Sequence, residues 1–177
     1  MRHQLDRLRS YYRMVVVETD SESGFYEKVA QVDSKYGKIS LMVIGAHGTS
    51  SHINLGWDWW GLGYDKYNID LSDEEELRKM VAHHLAEHPT IVLQACSSGK
   101  DERSIGAMIS KALNAKVYAP ENPSAGSYVF NQHGISDVKY FGELEEVHKD
   151  GTITIRYDKP SPSNVFLEGK IASRGIL

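Results

Sequence analysis

The strongest constraint on the fold is a nearly continuous apolar run from Ile39 to Ile44, within the segment KISLMVIGAHG. A half-exposed strand alternates apolar and polar side chains, whereas a strand that is covered on both faces is apolar throughout. A second run of this kind, TIVLQAC, ends at Cys96. Because doubly covered strands occur mainly in parallel sheets, the two runs predict a parallel sheet with helices on both sides.

Strand and helix patterns alternate through the rest of the first two thirds of the chain, as a layered α/β fold requires. Two further strands are predicted, in YYRMVVVETD around the β-branched residues Val15 to Val17 and in AKVYAPE. Helices are predicted over GFYEKVAQVDSKYG, which stops at Gly37, over EELRKMVAHHLAEH, which a Ser72–Glu75 capping box begins, and over RSIGAMISKALN.

The last third of the chain has a different pattern. ELEEVHKDGTITIRY predicts a β-hairpin, because Asp150-Gly151 suits a type I′ turn, and DKPSPSNVFLEGK predicts a loop with two prolines. Earlier in the chain, HINLGW and KYNIDL predict a short pair of surface strands. No linker divides the chain, so we expect one domain over residues 1–177, with a core over about 12–140 and a hairpin appendage over about 141–177.

Charge and cysteine content limit the classes of partner. The net charge is −4, which argues against nucleic acid and against an anionic membrane surface. The single cysteine excludes an internal disulfide framework and fits a reducing compartment. MRHQLDRLRS lacks the apolar region of a secretory signal, and no stretch approaches the roughly 18 apolar residues of a membrane span. We therefore expect a cytoplasmic protein.

Chemistry is concentrated where the two apolar runs end. His47 and Gly48 follow the first run, and Cys96 ends the second. If the two strands are adjacent and parallel, their carboxyl ends open on the same edge of the sheet, so the imidazole and the thiol can face each other. An imidazole in that position can take the thiol proton and later protonate a leaving amine. Gly48 leaves room for a substrate backbone, and the small residues around Cys96 leave amides free to hold an oxyanion.

These residues resemble the caspase-like cysteine peptidases, in which one apolar strand ends in His-Gly and a later one in Ala-Cys. Gln94-Ala95-Cys96 is similar to the Q-A-C tripeptide of caspases, and His47 lies 49 residues upstream of Cys96, close to the spacing of about 50 in that family. LQACSSG with SIGAMISKALNAKVYAP looks most like the bacterial CHAT and gingipain-like branch. The resemblance covers about residues 12–125.

The resemblance implies a three-layer α/β/α sandwich with a mostly parallel sheet, here followed by a C-terminal β-hairpin. It implies that Cys96 is the nucleophile, that His47 is the general base and acid, and that the backbone N–H groups of Gly48 and Cys96 form the oxyanion hole. It implies no cofactor and no metal. The expected partners are a protein or peptide substrate and an activating protein.

One departure from the caspases concerns substrate preference. Caspases bind an acidic substrate side chain with arginines, one of them near the end of the first strand. Here the corresponding stretch is ETDSESG, with Glu18, Asp20 and Glu22 and no arginine. Acidic side chains favour Arg or Lys before the scissile bond. The candidate substrate-binding residues are Glu18, Asp20 and Gln94.

Other interpretations of the same residues remain open. A cysteine at a strand end is commonly a small buried apolar residue, and an inactive caspase-like module would bind a peptide or protein partner through the same groove. A third interpretation is another Cys–His hydrolase or an acyltransferase on the same scaffold. His52 and His133 are alternative bases, although neither ends a buried strand.

Two further motifs have competing interpretations. His84 and His88 have the spacing of a metal-binding pair on a helix, but no third ligand is evident, so a solvated helix face is favoured. WDWWGLG (Trp57–Gly63) holds all three tryptophans. It suits either a platform for a substrate or partner, or a cover for the edge of the sheet.

Overall fold

A computed structural model describes residues 2–56, 65–150 and 152–175, and within them the chain forms an α/β fold, which confirms the predicted class. The helices are α1 (Arg2–Tyr11), α2 (Glu22–Tyr36), α3 (Glu74–Met80) and α4 (Ile105–Leu113). The strands are β1 (Ile39–Gly45), β2 (His47–Gly48), β3 (His52–Asn54), β4 (Asn68–Asp70), β5 (Leu85–Gln94), β6 (Lys116–Pro120), β7 (Ser124–Asn131), β8 (Gly134–Val147), β9 (Ile153–Ser161), β10 (Ser163–Leu167) and β11 (Lys170–Gly175).

The largest sheet has five strands in the order β1-β5-β6-β10-β11. β5 pairs in parallel with β1 and with β6, as the two apolar runs predicted. β10 is antiparallel to β6, and β11 is antiparallel to β10. The sheet is therefore mixed: the predicted parallel pairing holds for β1, β5 and β6, and β10 interrupts it because it runs antiparallel to both β6 and β11.

The two apolar runs differ in burial. Ile91, Val92 and Leu93 of β5 are fully buried, as predicted. β1 lies at the edge of the sheet, where only Ile44 of its seven residues is buried and Val43 is 41% exposed. The prediction that β1 is covered on both faces was therefore wrong. An apolar run does not by itself distinguish an edge strand from a central one, because burial depends on what packs against it.

The predicted first strand, in YYRMVVVETD, is absent. Residues 13–19 form no regular secondary structure, and Val16 is 83% exposed. β-Branched residues favour a strand through packing against cross-strand neighbours, and no strand of the described residues pairs with this segment.

Two predicted helices, α2 and α4, are confirmed, and Gly37 ends α2 with a positive φ of 89°. The third, α3, is shorter than predicted: it ends at Met80, and a 3₁₀ turn (Ala82–His84) leads directly into β5. The predicted Ser72–Glu75 capping box was wrong: a capping box is formed by Asp70 and Asp73, and it caps the 3₁₀ turn Leu71–Asp73 that precedes α3. The Asp70 carboxylate accepts from the Ser72 N–H at 2.7 Å, and the Asp73 carboxylate accepts from the Asp70 N–H at 2.7 Å.

The remaining strands form two three-stranded sheets, β2-β3-β4 and β7-β8-β9. Pairing of β3 with β4 confirms the predicted strand pair, but its surface location was wrong, because Ile53 and Ile69 are fully buried in the main core. Pairing of β8 with β9 confirms the hairpin, although Gly151 of its turn lies outside the described residues. The loop predicted for DKPSPSNVFLEGK was wrong, because β9 and β10 occupy most of it. The segment expected as an appendage from about residue 141 is thus divided between two sheets.

The two faces of the five-stranded sheet are covered differently. Side chains of α2, α3 and α4 form the main core with one face. On the other face, Val138 and Tyr140 of β8 pack against Val92, Tyr118 and Val165. Among the described residues, β8 thus stands where a second helical layer was expected. None of the helices in these residues is both long and apolar enough to cross a membrane.

Candidate active site

The parallel pairing of β1 with β5 brings the two predicted catalytic residues to one edge of the sheet. Gly45 is paired with Gln94, and the Ala46 N–H donates to the Gln94 carbonyl at 3.4 Å. His47 and Cys96 each stand two residues beyond this pair. Because neighbouring strands lie about 4.8 Å apart, this register places the two residues just beyond the ends of adjacent strands.

Gly48 is in close contact with the segment that carries the cysteine. A Cβ atom added to Gly48 would lie 2.9 Å from the Ala95 Cβ and 3.5 Å from the Cys96 carbonyl oxygen. Because 2.9 Å is shorter than any ordinary carbon–carbon contact, a side chain at position 48 would displace the two segments. The absence of a side chain at position 48 therefore keeps the His-Gly backbone beside Ala95 and Cys96.

The histidine side of the site is the small sheet β2-β3-β4, whose Ile53 and Ile69 are buried in the main core. His47 is exposed, and it pairs with Asn54 of β3 in the antiparallel pair that β2 and β3 form. The Thr49 N–H closes the turn by donating to the His52 carbonyl at 2.9 Å. The loop between these strands is also bound to α4, because the Ile105 N–H donates to the Ser50 carbonyl at 2.8 Å.

The cysteine side is a compact turn with unusual backbone geometry. Cys96 is half-buried, and the next residue, Ser97, has a φ of 56°, which is uncommon for a residue other than glycine. Ser98 is fully buried, and its hydroxyl donates to the Ala95 carbonyl at 2.8 Å. Strained backbone of this kind is frequent at functional sites, where the surrounding structure holds it in place.

The turn after Cys96 is anchored to the neighbouring strand and helix. The Gly99 N–H donates to the Pro120 carbonyl at 2.8 Å, and the Gly106 N–H donates to the Ser98 carbonyl at 2.8 Å. A Cβ atom on Gly99 would lie 2.3 Å from the Ala119 carbonyl oxygen, so this position admits only glycine without a shift of the backbone.

Gln94, a predicted substrate-binding residue, is bound to the third sheet. Its Oε1 accepts from the Gly126 N–H at 2.8 Å, and its Nε2 donates to the Tyr128 hydroxyl at 3.4 Å. Burial raises the pKa of Tyr128, so the hydroxyl stays protonated at neutral pH. The Gln94 side chain therefore links β5 to β7 immediately before Ala95 and Cys96.

The two acidic candidates, Glu18 and Asp20, are exposed. The backbone at Asp20 is close to Gly56, because a Cβ atom on Gly56 would lie 2.2 Å from the Asp20 carbonyl oxygen. Gly56 follows β3 by two residues, and β3 pairs with β2, which contains His47. The acidic segment thus reaches the end of the small sheet that carries the histidine.

The alternative histidines are held in other interactions. His52 Nδ1 lies 3.1 Å from the Thr49 hydroxyl within its own turn. The His133 backbone N–H donates to Asn131 Oδ1 at 2.8 Å, in the turn between β7 and β8. Neither follows a strand of the five-stranded sheet, whereas His47 does.

The prediction that the histidine-rich segment is a solvent-exposed helix face holds only in part. His88 is exposed, but His84 lies in the 3₁₀ turn with its Nδ1 2.8 Å from Asp33 Oδ2. Within the described ranges, the one group of side chains spaced to hold a metal ion is Glu22, Asp73 and Glu76, which contains no histidine. Trp57–Gly63, the tryptophan-rich motif, lies outside the described residues.

Two residues beside the cysteine turn were not identified from the sequence. Ser98 lies in the small-residue stretch after Cys96. It is fully buried, and nothing in the sequence indicates that burial. Asn164 of β10 donates from Nδ2 to the Gly99 carbonyl at 2.7 Å. Asn164 lies in a segment that was predicted to be a loop, and no motif marks it.

Comparison with known proteins gives one match. No curated protein and no solved structure matches the chain significantly. Residues 13–154 match the model of a family described as a domain of unknown function, DUF8616. The matched region contains Glu18, Asp20, His47 and Cys96 and ends before β10. Because the match covers well over half of the chain, the protein belongs to the DUF8616 family.

Proposed function

We propose that this protein is a caspase-like cysteine endopeptidase with a His47–Cys96 dyad. The observation that carries the proposal is the register of β1 on β5, with Gly48 in contact with Ala95 and Cys96. With this register, the His-Gly and Ala-Cys pairs lie at the same edge of the sheet. Their order along the chain is the order in caspase-like peptidases. The parallel strands β1, β5 and β6, with α2 and α4 on one face, are compatible with the core of that fold.

The proposed reaction follows from the two side chains. His47 takes the thiol proton of Cys96, and the thiolate attacks the carbonyl carbon of the scissile peptide bond. Backbone N–H groups of Gly48 and Cys96 hold the negative oxygen of the tetrahedral intermediate. When the C–N bond breaks, His47 gives its proton to the leaving amine. Water, with His47 as the base, then hydrolyses the thioester and restores the thiol.

The proposed substrates carry Arg or Lys before the scissile bond. Glu18 and Asp20 support this preference, since both are exposed on a segment that contacts the end of β3. Matched fluorogenic peptides ending in Arg, Lys, Asp and Leu test it. We expect the Arg and Lys peptides to be cleaved faster, and Asp20→Asn to reduce that advantage more than it reduces cleavage of the Leu peptide. Faster cleavage after Asp or Leu would exclude an acidic pocket.

One observation favours the alternative of an inactive binding module. His47 is exposed on a strand of only two residues, and within the described ranges no side chain holds its ring by a hydrogen bond. A base that is not oriented by a third group is a weaker base catalyst. In this alternative, the same groove binds a peptide and does not cleave it.

Covalent labelling separates an enzyme from a binding module. The probe is a peptidyl acyloxymethyl ketone ending in Arg, and Cys96 is the only cysteine, so the position of the label is unambiguous. We expect stoichiometric labelling of the wild type, none of Cys96→Ala, and much slower labelling of His47→Ala. Binding of the same peptide without covalent modification would support the inactive module and exclude the peptidase.

A further inference from the structure

Asn164 is a fully buried polar residue in β10, on the far side of the sheet from β1. Its Nδ2 donates to the Gly99 carbonyl at 2.7 Å and to Glu121 Oε1 at 3.1 Å. Its Oδ1 is buried and has no hydrogen-bond partner among the described residues. A buried acceptor without a partner costs free energy, so packing alone does not account for an amide at this position.

The amide acts on the turn that follows the cysteine. The Gly99 N–H donates to the Pro120 carbonyl, and the Gly99 carbonyl accepts from Asn164. Both backbone polar groups of Gly99 are therefore fixed by neighbouring strands, β6 on one side and β10 on the other. Gly99 is three residues after Cys96, and the intervening Ser97 has the positive φ of 56°.

This geometry connects Asn164 to the direction of the thiol. A residue with positive φ tends to relax when its surroundings loosen, because the conformation is unfavourable in isolation. Relaxation at Ser97 would rotate the peptide group between Cys96 and Ser97 and change the direction of the Cys96 side chain. Fixing the Gly99 carbonyl prevents that relaxation from the C-terminal side of the turn.

We infer that Asn164 is a positioning residue for the Cys96 nucleophile, acting through the Gly99 carbonyl. The inference rests on the proposed function, in which Cys96 reacts with a substrate. It predicts that β10, which lies outside the matched family region, contributes to the reactivity of the site. Glu121, the second acceptor of Asn164, supports the orientation of the amide and has no role in the chemistry.

Three variants separate the two hydrogen bonds of Asn164. Asn164→Asp keeps the shape of the side chain and removes both donated bonds. The double variant Asn164→Asp with Glu121→Gln restores a bond between positions 164 and 121 but leaves the Gly99 carbonyl without its donor. Asn164→Ala removes the donor without adding a charge, and serves if Asn164→Asp does not fold. Ser110→Ala is the matched control, because Ser110 is fully buried and its hydroxyl makes no bond to the turn: it donates to the Ala115 carbonyl at 2.9 Å and accepts from the Gly169 N–H at 3.4 Å.

The first readout is the rate at which iodoacetamide alkylates Cys96 as a function of pH. This rate reports the thiol whether or not the protein is a peptidase, so it remains informative if the proposed function fails. The second readout is kcat and KM on the best Arg peptide. We expect Asn164→Asp and the double variant to lower kcat by about 10- to 100-fold with KM nearly unchanged, since a small displacement of a nucleophile has effects of this order. We expect both to alter the pH profile of alkylation.

Ser110→Ala should lower thermal stability and leave both readouts at the wild-type level. Recovery of both readouts in the double variant would overturn the inference, because the bond to Glu121 would then be the important one. A wild-type alkylation profile in folded Asn164→Asp or Asn164→Ala would also overturn it. If Cys96→Ala and all the other variants keep the wild-type peptidase activity, the proposed function is overturned. The alkylation profile would still decide the role of Asn164.

Discussion

The two members of the proposed dyad lie in parts of the molecule that differ in burial and in support. Cys96 follows β5, whose last apolar residues are fully buried, and its turn is bound to β6, β10 and α4. His47 follows β1, an edge strand with one buried residue, and belongs to a strand of two residues. Cys96 is therefore held by the five-stranded sheet and α4, whereas His47 lies exposed on an outer strand of a small sheet whose Ile53 and Ile69 are buried in the same core. Changes on the two sides should therefore have different consequences for stability and activity.

The largest effect is expected when either side loses its reactive group. We expect Cys96→Ala, His47→Ala and the double variant each to lower kcat/KM by about a thousandfold or more, because residues that act as a unit are not additive. The measurement is peptide cleavage under single-turnover conditions. All three should remain folded, since His47 is exposed and Cys96 is only half-buried. Turnover by His47→Ala near the wild-type rate would show that His47 is not the base.

A comparison of stability tests the difference in burial directly. Phe166 of β10 is fully buried, so we expect Phe166→Ala to lower the free energy of unfolding by about 3–5 kcal/mol. Val16 is 83% exposed, so Val16→Ala should change that free energy by no more than about 0.5 kcal/mol. Denaturant titrations give both values. A large loss in Val16→Ala would mean that residues 13–19 pack as the strand that the sequence predicted.

The same division explains which parts of the fold were predictable. α4, β6 and the second half of β5 were predicted because their sequence patterns agree with their burial, whereas Leu85 to His88 of β5 were predicted to be helical. The apolar pattern of β1 did not show that it is an edge strand, and the three valines of residues 13–19 did not show that no strand of the described residues pairs with this segment. The strands β10 and β11 were missed because β10 pairs with β6, more than 40 residues earlier in the chain, and β11 in turn pairs with β10.

The candidate site followed the same rule. The placement of His47, Gly48 and Cys96 at one edge of the sheet could be predicted because each lies next to an apolar strand and the two strands pair in parallel, while their catalytic roles stay a prediction. The support around them could not be predicted. Asn164 and the positive φ of Ser97 depend on contacts between segments that are distant in sequence, and no local pattern encodes such contacts.

Two glycines on the histidine side offer a smaller and sharper test. A Cβ atom on Gly48 would lie 2.9 Å from the Ala95 Cβ, whereas one on Gly45 would have no atom within 4 Å. We expect Gly48→Ala to move His47 away from Cys96 and to lower kcat/KM by about 10- to 100-fold. Gly45→Ala is the matched control and should retain the wild-type rate. Equal activity of the two variants in the same peptide assay would show that the close contact at Gly48 does not set the geometry of the dyad.

The smallest effect concerns a surface contact that joins α2 to the turn before β5. The Lys38 ammonium, 2.8 Å from Asp33 Oδ2, lowers the pKa of Asp33, and the hydrogen bond with His84 lowers this pKa further. A carboxyl with a lowered pKa in the folded state stabilises the protein above its unfolded pKa of about 3.9. That contribution is lost as the pH falls through the lower, folded value.

We therefore expect Asp33→Asn to be less stable than the wild type at pH 6, and the difference to shrink progressively as the pH is lowered below about 4. Urea midpoints measured at a series of pH values check this. Asp6→Asn is the control: the Asp6 carboxylate lies 3.8 Å from Arg9 with both side chains largely exposed, and such pairs contribute little. A difference between wild type and Asp33→Asn that stays constant down to pH 2 would mean that charge on Asp33 is unimportant. The contact between Asp33 and His84 would then stabilise the protein through packing and not through charge.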